Sequence, residues 1–289
     1  MIIDTHTHFG EPSCPKEALY RTELPDAYKA VAIPEGVTGT VVTESSVDIE
    51  DNQWTLDQAD KDPFIVGLIG HLDPFSEAFD RDLDRFAADV RFCGFRLHAN
   101  CCHQYTGQPH QGVDPIPERL LKSLTRLVEK DLALDLHGGC EYFDYFAELY
   151  RRVDGLRVVI NHMGECGPLT TGAPRAEWVA GIRRIASLPN AYCKVSALVQ
   201  MAVQIPAPAD PAFYHQVTDV VWNAFGAERL IYASNWPQIE RVSDFATEHR
   251  IVACYFSEKG ADAERKFFWK NAKRVYRWGR DAFSGTQLL

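Results

Sequence analysis

Two histidines near the start of the chain, His6 and His8, are spaced so that their side chains can act together. The stretch 1–10 is typical of a β-strand, with apolar residues at its start and histidines at its end. Alternate side chains share one side of a strand, about 7 Å apart at their Cα atoms, which also predicts Asp4 on that side. Because metal–imidazole bonds are about 2 Å long, the pair could hold one ion or polarise one substrate group.

Other polar residues fall at the ends of the apolar runs that recur along the chain. These residues are Glu44, His71, Asp73, Arg96, His98, Asp135, His137, Asn161, His162, Lys194, Ser196, Ser234 and Asn235. Guanidinium binds a carboxylate through two parallel hydrogen bonds, so Arg96 is the best candidate for holding an anion. We expect the substrate to contact Arg96, His137 and Lys194, together with Trp236, which follows the last run.

Eight apolar runs alternate with amphipathic segments, which predicts right-handed crossovers and a parallel sheet. The runs are 1–8, 37–44, 64–70, 92–98, 132–137, 156–162, 191–196 and 229–234. The helical segments are 48–60, 76–90, 117–130, 142–153, 175–187, 210–225 and 243–256. We therefore predict a (β/α)8 TIM barrel, one α/β domain over residues 1–289. A doubly wound sheet is the second choice, because no Gly-x-Gly-x-x-Gly loop follows the first run.

Composition narrows the classes of partner. The net charge of −10 argues against nucleic acid, because phosphate binding needs clustered Lys and Arg. No long apolar span or secretory segment is seen, and none of the eight cysteines forms a C-x-x-C pair, so we expect a cytoplasmic protein with reduced thiols and no membrane partner. Trp269 and Trp278 pack on their own barrel or on a second copy, and the sequence leaves a homo-oligomer open.

Three long loops follow predicted strands, at residues 9–36, 99–116 and 197–210. In a barrel they overhang the end where active sites form. His103, Tyr105 and His110 are the candidates for substrate contact in these loops.

The ordered motifs resemble the amidohydrolase superfamily over nearly the whole chain. They are Asp4-x-His6-x-His8, Gly94-Phe-Arg96, Asn161-His162-Met-Gly164, Lys194-Val-Ser196, Ala233-Ser-Asn-Trp-Pro237 and Asn271-Ala-x-Arg-x-Tyr276. The resemblance is strongest to the amidohydrolase-related branch, which contains sugar, pyrone-dicarboxylate and muconolactone-type lactonases and metal-dependent decarboxylases. It implies a (β/α)8 barrel that hydrolyses a small carbon–oxygen or carbon–nitrogen bond.

The resemblance also implies one divalent metal ion, most readily zinc, held by His6, His8, His137 and His162. Two departures bear on that expectation. Asn235 stands where the family usually has an aspartate, and Asn161 stands where the lactonases often have Asp-His. An amide neither takes a proton from water nor binds a cation as an anion, so the sequence leaves open both an enzyme with the ion and a metal-free one.

The leading hypothesis is a hydrolase of a small anionic or sugar-like lactone, with His6, His8, His162 and Asn235 in the catalytic set. Asn235 would position water, and the base would come from His162, His6 or Glu44. The alternatives are a metal-dependent decarboxylase or amide hydrolase of the same superfamily, and a barrel that binds a ligand without catalysis. In second place Asn235 could mark a catalytically weakened or binding-only relative, and in third place a substitution introduced to trap a ligand.

Overall fold

Eight parallel strands, paired in chain order, form the sheet at the centre of the structure. A computed structural model of the chain describes residues 1–10, 25–99 and 116–279. The strands are β1 (Ile3–Thr7), β2 (Gly39–Thr43), β3 (Ile65–Gly70), β4 (Phe92–His98), β5 (Ala133–His137), β6 (Val158–Ile160), β7 (Ala191–Val195) and β8 (Leu230–Tyr232).

Helices cover the outside of the sheet. They are α1 (Pro25–Ala32), α2 (Glu50–Lys61), α3 (Phe79–Ala87), α4 (Glu118–Glu129), α5 (Phe143–Arg152), α6 (Ala176–Ala186), α7 (Leu198–Met201), α8 (His215–Phe225), α9 (Phe245–Glu258), α10 (Ala261–Arg265) and α11 (Asn271–Tyr276). A π-helical turn, Lys266–Lys270, joins the last two.

Backbone contacts between the last and first strands close the sheet. The amide of Asn235 donates to the carbonyl of His6 at 2.9 Å, and the amide of His8 donates to the carbonyl of Trp236 at 2.9 Å. The predicted (β/α)8 TIM barrel is confirmed, with every predicted strand in place. Of the loops predicted at 9–36 and 99–116, residues 11–24 and 100–115 lie outside the described residues, as do His103, Tyr105 and His110. The described end of the first predicted loop is helical, because it contains α1.

The interior of the barrel is apolar at its lower end. Each strand contributes one residue to this inner cluster, namely Ile3, Val41, Ile69, Cys93, Ala133, Val159, Tyr192 and Ile231. Helix α11 closes that end with Ala272, Val275 and Tyr276, and Trp269 and Trp278 pack against the same cluster. Polar side chains can therefore meet inside the barrel only above this layer, toward the carboxyl ends of the strands.

Two observations concern the expected reduced thiols and the expected absence of a membrane partner. Five cysteines are free in the described segments: Cys93, Cys140, Cys166, Cys193 and Cys254. None of the helices within residues 1–10, 25–99 and 116–279 is long and apolar enough to cross a membrane.

The prediction that Asp4 shares a face with His6 and His8 is wrong. Strand pairing is irregular between Asp4 and Thr7, which breaks the simple alternation of side chains. The Asp4 carboxylate accepts hydrogen bonds from the Tyr28 hydroxyl at 2.7 Å and from the Ser234 amide at 2.9 Å. Because Tyr28 lies in α1, outside the sheet, Asp4 ties the barrel to its helical shell and leaves the interior to the histidines.

Gly94 produces a second irregularity, and this one turns Arg96 inward. Cys93 packs in the inner cluster and Phe95 packs in the outer one, so the alternation shifts between them. Gly94 has φ = +147°, and a Cβ there would overlap the carbonyl oxygen of Ala133 on β5. Glycine is therefore required for close strand pairing and for the inward direction of the next arginine.

We expect Gly94→Ala to lower the free energy of unfolding by at least about 3 kcal/mol, because the methyl group overlaps backbone that cannot move aside. Gly36→Ala is the matched control: its φ is +86°, in the left-handed region, and a Cβ there would meet only the side chain of Ile2, at an ordinary 3.6 Å. The control should cost only the left-handed penalty of about 1–2 kcal/mol. Urea unfolding curves measure both values, and equal losses in the two variants would contradict this account.

Candidate active site

A cavity of about 750 Å³ opens at the carboxyl ends of the strands. Its lining combines imidazole, guanidinium, carboxylate and amide groups. The polar residues in its wall are His8, Arg96, His98, His137, Glu141, His162, Glu165, Arg175, Gln200, Asn235 and Gln238. Helical and loop segments after β5, β6, β7 and β8 supply most of them, as expected for the functional end of a barrel.

Beneath the cavity lies a buried ion pair. The Lys194 ammonium is 2.6 Å from Oδ2 of Asp135, and neither side chain is exposed to solvent. The Tyr276 hydroxyl donates to Oδ1 of Asp135 at 2.9 Å, and the Asn161 amide donates to Oδ2 at 2.9 Å. Buried charges are tolerated when they are paired and hydrogen-bonded in this way.

The ion pair fixes the proton positions on His6 and His8. Lys194 Nζ is 3.3 Å from Nδ1 of His6, and Nε2 of His6 is 3.1 Å from Nε2 of His8. His8 Nδ1 lies 3.1 Å from the carbonyl oxygens of Thr43 and Glu44, which can only accept. Because an ammonium only donates and the carbonyls only accept, these contacts favour one arrangement: Lys194 donates to His6, His6 to His8, and His8 to the carbonyls. In this arrangement the Nη1 donor of Arg96 faces the protonated Nε2 of His6 at 3.3 Å.

Arg96 lies above His6 and is held by Glu44. Its Nε donates to Oε1 of Glu44 at 2.6 Å, and its Nη2 donates to the Glu44 carbonyl at 3.0 Å. Its Nη1 is 3.3 Å from Nε2 of His6. His98 Nε2 lies 2.8 Å from the same Oε1. The buried guanidinium of Arg96, with the hydrogen bond and charge of His98, overcomes desolvation and lowers the pKa of Glu44 to about 2.

His162 and His137 form one wall of the cavity. The ring centroids of His162 lie 4.4 Å from His6 and 5.7 Å from His137. Nδ1 of His162 is 2.7 Å from the Ser196 hydroxyl, which fixes the ring plane. Burial is the largest cause that lowers the pKa of four imidazoles: to about 3 for His8 and His137, and well below the usual value for His6 and His162.

The Asn235 side chain is hydrogen-bonded to Gln200, which also lines the cavity. Its side-chain nitrogen donates to Oε1 of Gln200 at 2.6 Å, which leaves the Asn235 oxygen as its acceptor. Gln200 lies in α7, and the first two backbone amides of that helix donate to the buried carboxylate of Glu248, at 3.0 and 3.1 Å. Asn235 and Gln200 therefore form a hydrogen-bonded pair of neutral amides in the cavity wall, and the contact of α7 with Glu248 holds this pair in place.

A left-handed turn after β6 adds a carboxylate that the sequence reasoning missed. Four consecutive residues have positive φ: His162 (50°), Met163 (54°), Gly164 (62°) and Glu165 (53°). Oε1 of Glu165 lies 3.5 Å from Nε2 of His137. Desolvation and the neighbouring charge of Glu141 raise the pKa of Glu165. Its place directly after the Asn161–Gly164 motif is the only sequence signal that could have drawn attention to it.

The structure brings together only part of the predicted site. His8, Arg96, His137, His162 and Asn235 line the cavity. The other three predicted residues, which are His6, Lys194 and Trp236, do not line it. His6 and Lys194 are fully buried below the floor. Trp236 is 2% exposed, packs against Phe9 and Tyr28, and donates its indole N–H to Glu240.

The four predicted metal ligands do not fit a metal ion in this arrangement. Two nitrogens on a tetrahedral zinc lie about 3.3 Å apart, so the 3.1 Å spacing of His6 and His8 is suitable by itself. Chelation, however, needs a bare Nε2 on His6, and its proton would then move to Nδ1, facing the Lys194 ammonium. Within the described segments no three His, Cys, Asp or Glu side chains are grouped to hold an ion.

Comparison with known proteins agrees with this fold. The Amidohydrolase family model matches residues 3–278, so the chain belongs to the amidohydrolase family and is a hydrolase. The chain is 29% identical to the L-fucono-1,5-lactonase of Burkholderia ambifaria, covering 99% of this chain and 98% of that protein. It is 27% identical to an L-rhamnono-gamma-lactonase of Scheffersomyces stipitis, over 50% of this chain and 48% of that one.

A solved structure shares the fold closely. An amidohydrolase from Burkholderia multivorans, crystallised with bound zinc, superposes with a TM-score of 0.83 at 20% identity, covering 96% of this chain and 99% of that one.

We expect the protein to lose stability as the pH falls below 6.5, the ordinary histidine pKa. The buried imidazoles stay neutral in the folded state down to about pH 3, as for His8 and His137, whereas the unfolded chain takes up protons. The unfolded state therefore binds more protons, and acid favours it, by up to about 1.4 kcal/mol per histidine and pH unit. The contribution is fully present above pH 6.5.

Urea unfolding between pH 7.5 and 4.5 measures this slope. Replacing one imidazole, in the variant His137→Gln, should reduce the slope by up to about 1.4 kcal/mol per pH unit. An unchanged slope in the variant would show that His137 is protonated in the folded state.

Proposed function

We propose that this hydrolase opens a small lactone of the polyhydroxy, sugar-derived class, at the cavity above His8. The observation that carries the proposal is the Arg96 guanidinium, fixed by Glu44 at the cavity floor with one nitrogen toward the histidines. The likeness of the whole chain to an L-fucono-1,5-lactonase supports the same class of reaction.

Arg96 is suited to stabilise the oxyanion of a lactone carbonyl. Two of its three nitrogens donate to Glu44, and the third, Nη1, faces His6 Nε2, which carries a proton in the arrangement set by Lys194. The Nη1 hydrogens therefore find no lone pair on His6 and are left for an oxygen of the ligand. A fixed, charged donor at the carbonyl oxygen lowers the barrier because no reorganisation is needed during reaction.

The rest of the cavity wall fits a neutral polyol better than a polyanion. Glu44 already neutralises Arg96, and Glu141 and Glu165 bring two negative charges to the wall against the single positive charge of Arg175. Gln200 and Asn235 contribute amide groups there. Carboxylate and amide oxygens accept hydrogen bonds from hydroxyl groups, whereas they would repel the carboxylates of a dicarboxylic lactone.

The lactone opens in two steps, attack by water and breakage of the ring C–O bond. Water attacks the carbonyl carbon and gives up the proton that the ring oxygen later takes, and the carbonyl electrons move to the oxygen that Arg96 stabilises. The electrons return, the bond to the ring oxygen breaks, and that oxygen takes a proton to become a hydroxyl group. The product is an open-chain hydroxy acid, and the wall residues hold the ring so that water approaches one face.

We expect the purified protein to hydrolyse one or more aldonolactones and Arg96→Lys to lower kcat/KM by about 10²–10³-fold, because lysine keeps the charge beside Glu44 but loses the Nη1 donor. Arg91→Lys, a surface arginine paired with Asp89 and Asp60, is the control and should match the wild type. A pH-indicator assay of acid release measures the rates. A panel with pyrone and muconolactone acids and simple amides completes the test, and no turnover of any lactone would refute the proposal.

We also expect activity to survive chelation. Dialysis against a chelator should change kcat by less than about twofold, because Lys194 holds His6 in the form that cannot chelate. The double variant Lys194→Met with Asp135→Asn removes the ammonium together with its partner, so it should bind zinc more tightly than the wild type. Zinc titration by calorimetry compares the two proteins. Chelator-sensitive activity that zinc restores in the wild type would contradict this expectation.

A further inference from the structure

We propose that Glu165 is the catalytic base of this cavity, the carboxylate that takes the proton from the attacking water. The inference rests on the proposed lactone hydrolysis and adds to it the residue that Asn235 cannot replace, since an amide takes no proton from water. Glu165 lines the same cavity as Arg96, His8 and His162.

The first argument is the backbone that presents the carboxylate. The segment 162–165 turns through four left-handed residues, three of them not glycine, although each such residue costs about 1–2 kcal/mol. Strain of this kind persists only where the surroundings over-determine it, and it clusters at functional sites. The turn sends both His162 and Glu165 to the cavity wall.

The second argument is the packing that holds the turn. The Trp178 indole donates to the carbonyl of Met163 at 2.7 Å, and Trp178 is fully buried. Phe143 covers Gly164 so closely that a Cβ there would overlap its ring. The amide of Glu165 donates back to the carbonyl of His162 at 3.0 Å. Buried aromatic side chains on two helices therefore fix the direction in which Glu165 leaves the backbone.

The third argument is that two other candidate bases on the cavity wall or floor, His8 and Glu44, are occupied. Nε2 of His8 already accepts from His6, and Glu44 accepts from both Arg96 and His98.

Glu165 has a different environment. Its Oε1 faces Nε2 of His137 at 3.5 Å, and its side chain keeps 45% of its surface accessible. A carboxylate on the cavity wall, in reach of water and beside a neutral imidazole, meets the geometric needs of a general base.

The step balances without any further reactant. As the water oxygen bonds to the carbonyl carbon, one O–H bond breaks and that proton passes to the Glu165 carboxylate. When the ring C–O bond breaks, the carboxylic acid returns the proton to the leaving alkoxide. Glu165 is then ready for another turnover, and the acid product loses its own proton to solvent.

The experiment compares Glu165→Gln and Glu165→Ala with the wild type on the best aldonolactone of the panel. We expect kcat to fall by about 10²–10⁴-fold in both variants, with KM changed by less than about threefold. Added formate should restore part of the activity of Glu165→Ala, because it supplies a carboxylate in the space left, and it should not affect Glu165→Gln. Glu177→Gln, on the exposed surface of α6, is the charge-matched control and should keep wild-type kcat and KM.

The outcomes separate this inference from the proposed function. A wild type without lactone turnover overturns both. An active wild type with unchanged kcat in Glu165→Gln overturns the inference alone. A fall in kcat that formate does not reverse also overturns it, because a residue that only shapes the turn would show that result.

Discussion

The central constraint on this site is the buried ammonium of Lys194. The ammonium forms an ion pair with Asp135 below, which balances its charge. It faces His6 above, where it determines which ring nitrogen carries the proton. Tyr276 completes the Asp135 contacts from the final helix, which links the closing element of the barrel to the floor of the cavity. This paired charge determines which ring nitrogens of His6 and His8 carry protons. It therefore leaves one hydrogen-bond donor of Arg96 without an acceptor on His6.

Two irregularities in the sheet make this arrangement possible. In an ideal strand, Asp4 and His6 would share a face. In an ideal β4, Phe95 would face the interior of the barrel and Arg96 would face outward. The irregular pairing of β1 sends Asp4 to Tyr28, and the irregularity at Gly94 sends Arg96 inward. Each places a polar group where the regular period would not, and each is anchored by the neighbouring strand or helix.

The sequence predicted the barrel because periodicity is a local signal that repeats eight times. It also predicted five residues that the cavity collects, His8, Arg96, His137, His162 and Asn235, since strand ends of a parallel barrel share one rim. The sequence did not show that His6 and Lys194 lie deeper than these five residues. The depth of a side chain along the barrel axis depends on the register between neighbouring strands. The sequence missed Glu165, since a left-handed run of non-glycine residues has no composition that marks it.

The two asparagines at the strand ends are explained by their partners. Asn161 donates to Asp135 at 2.9 Å, and a carboxylate in its place would put a second negative charge beside the first. Asn235 donates to Gln200 at 2.6 Å, and a carboxylate there would meet an acceptor oxygen unless the Gln200 amide reversed. The amide nitrogens of both residues are thus integrated into the hydrogen bonding of this chain, whereas the Asn161 oxygen is buried without a partner among the described residues. The asparagine at 235 is therefore better described as part of a different arrangement than as a damaged one. A site arranged in this way must carry its reactive carboxylate elsewhere on the wall, and the turn after β6 provides one beside His137.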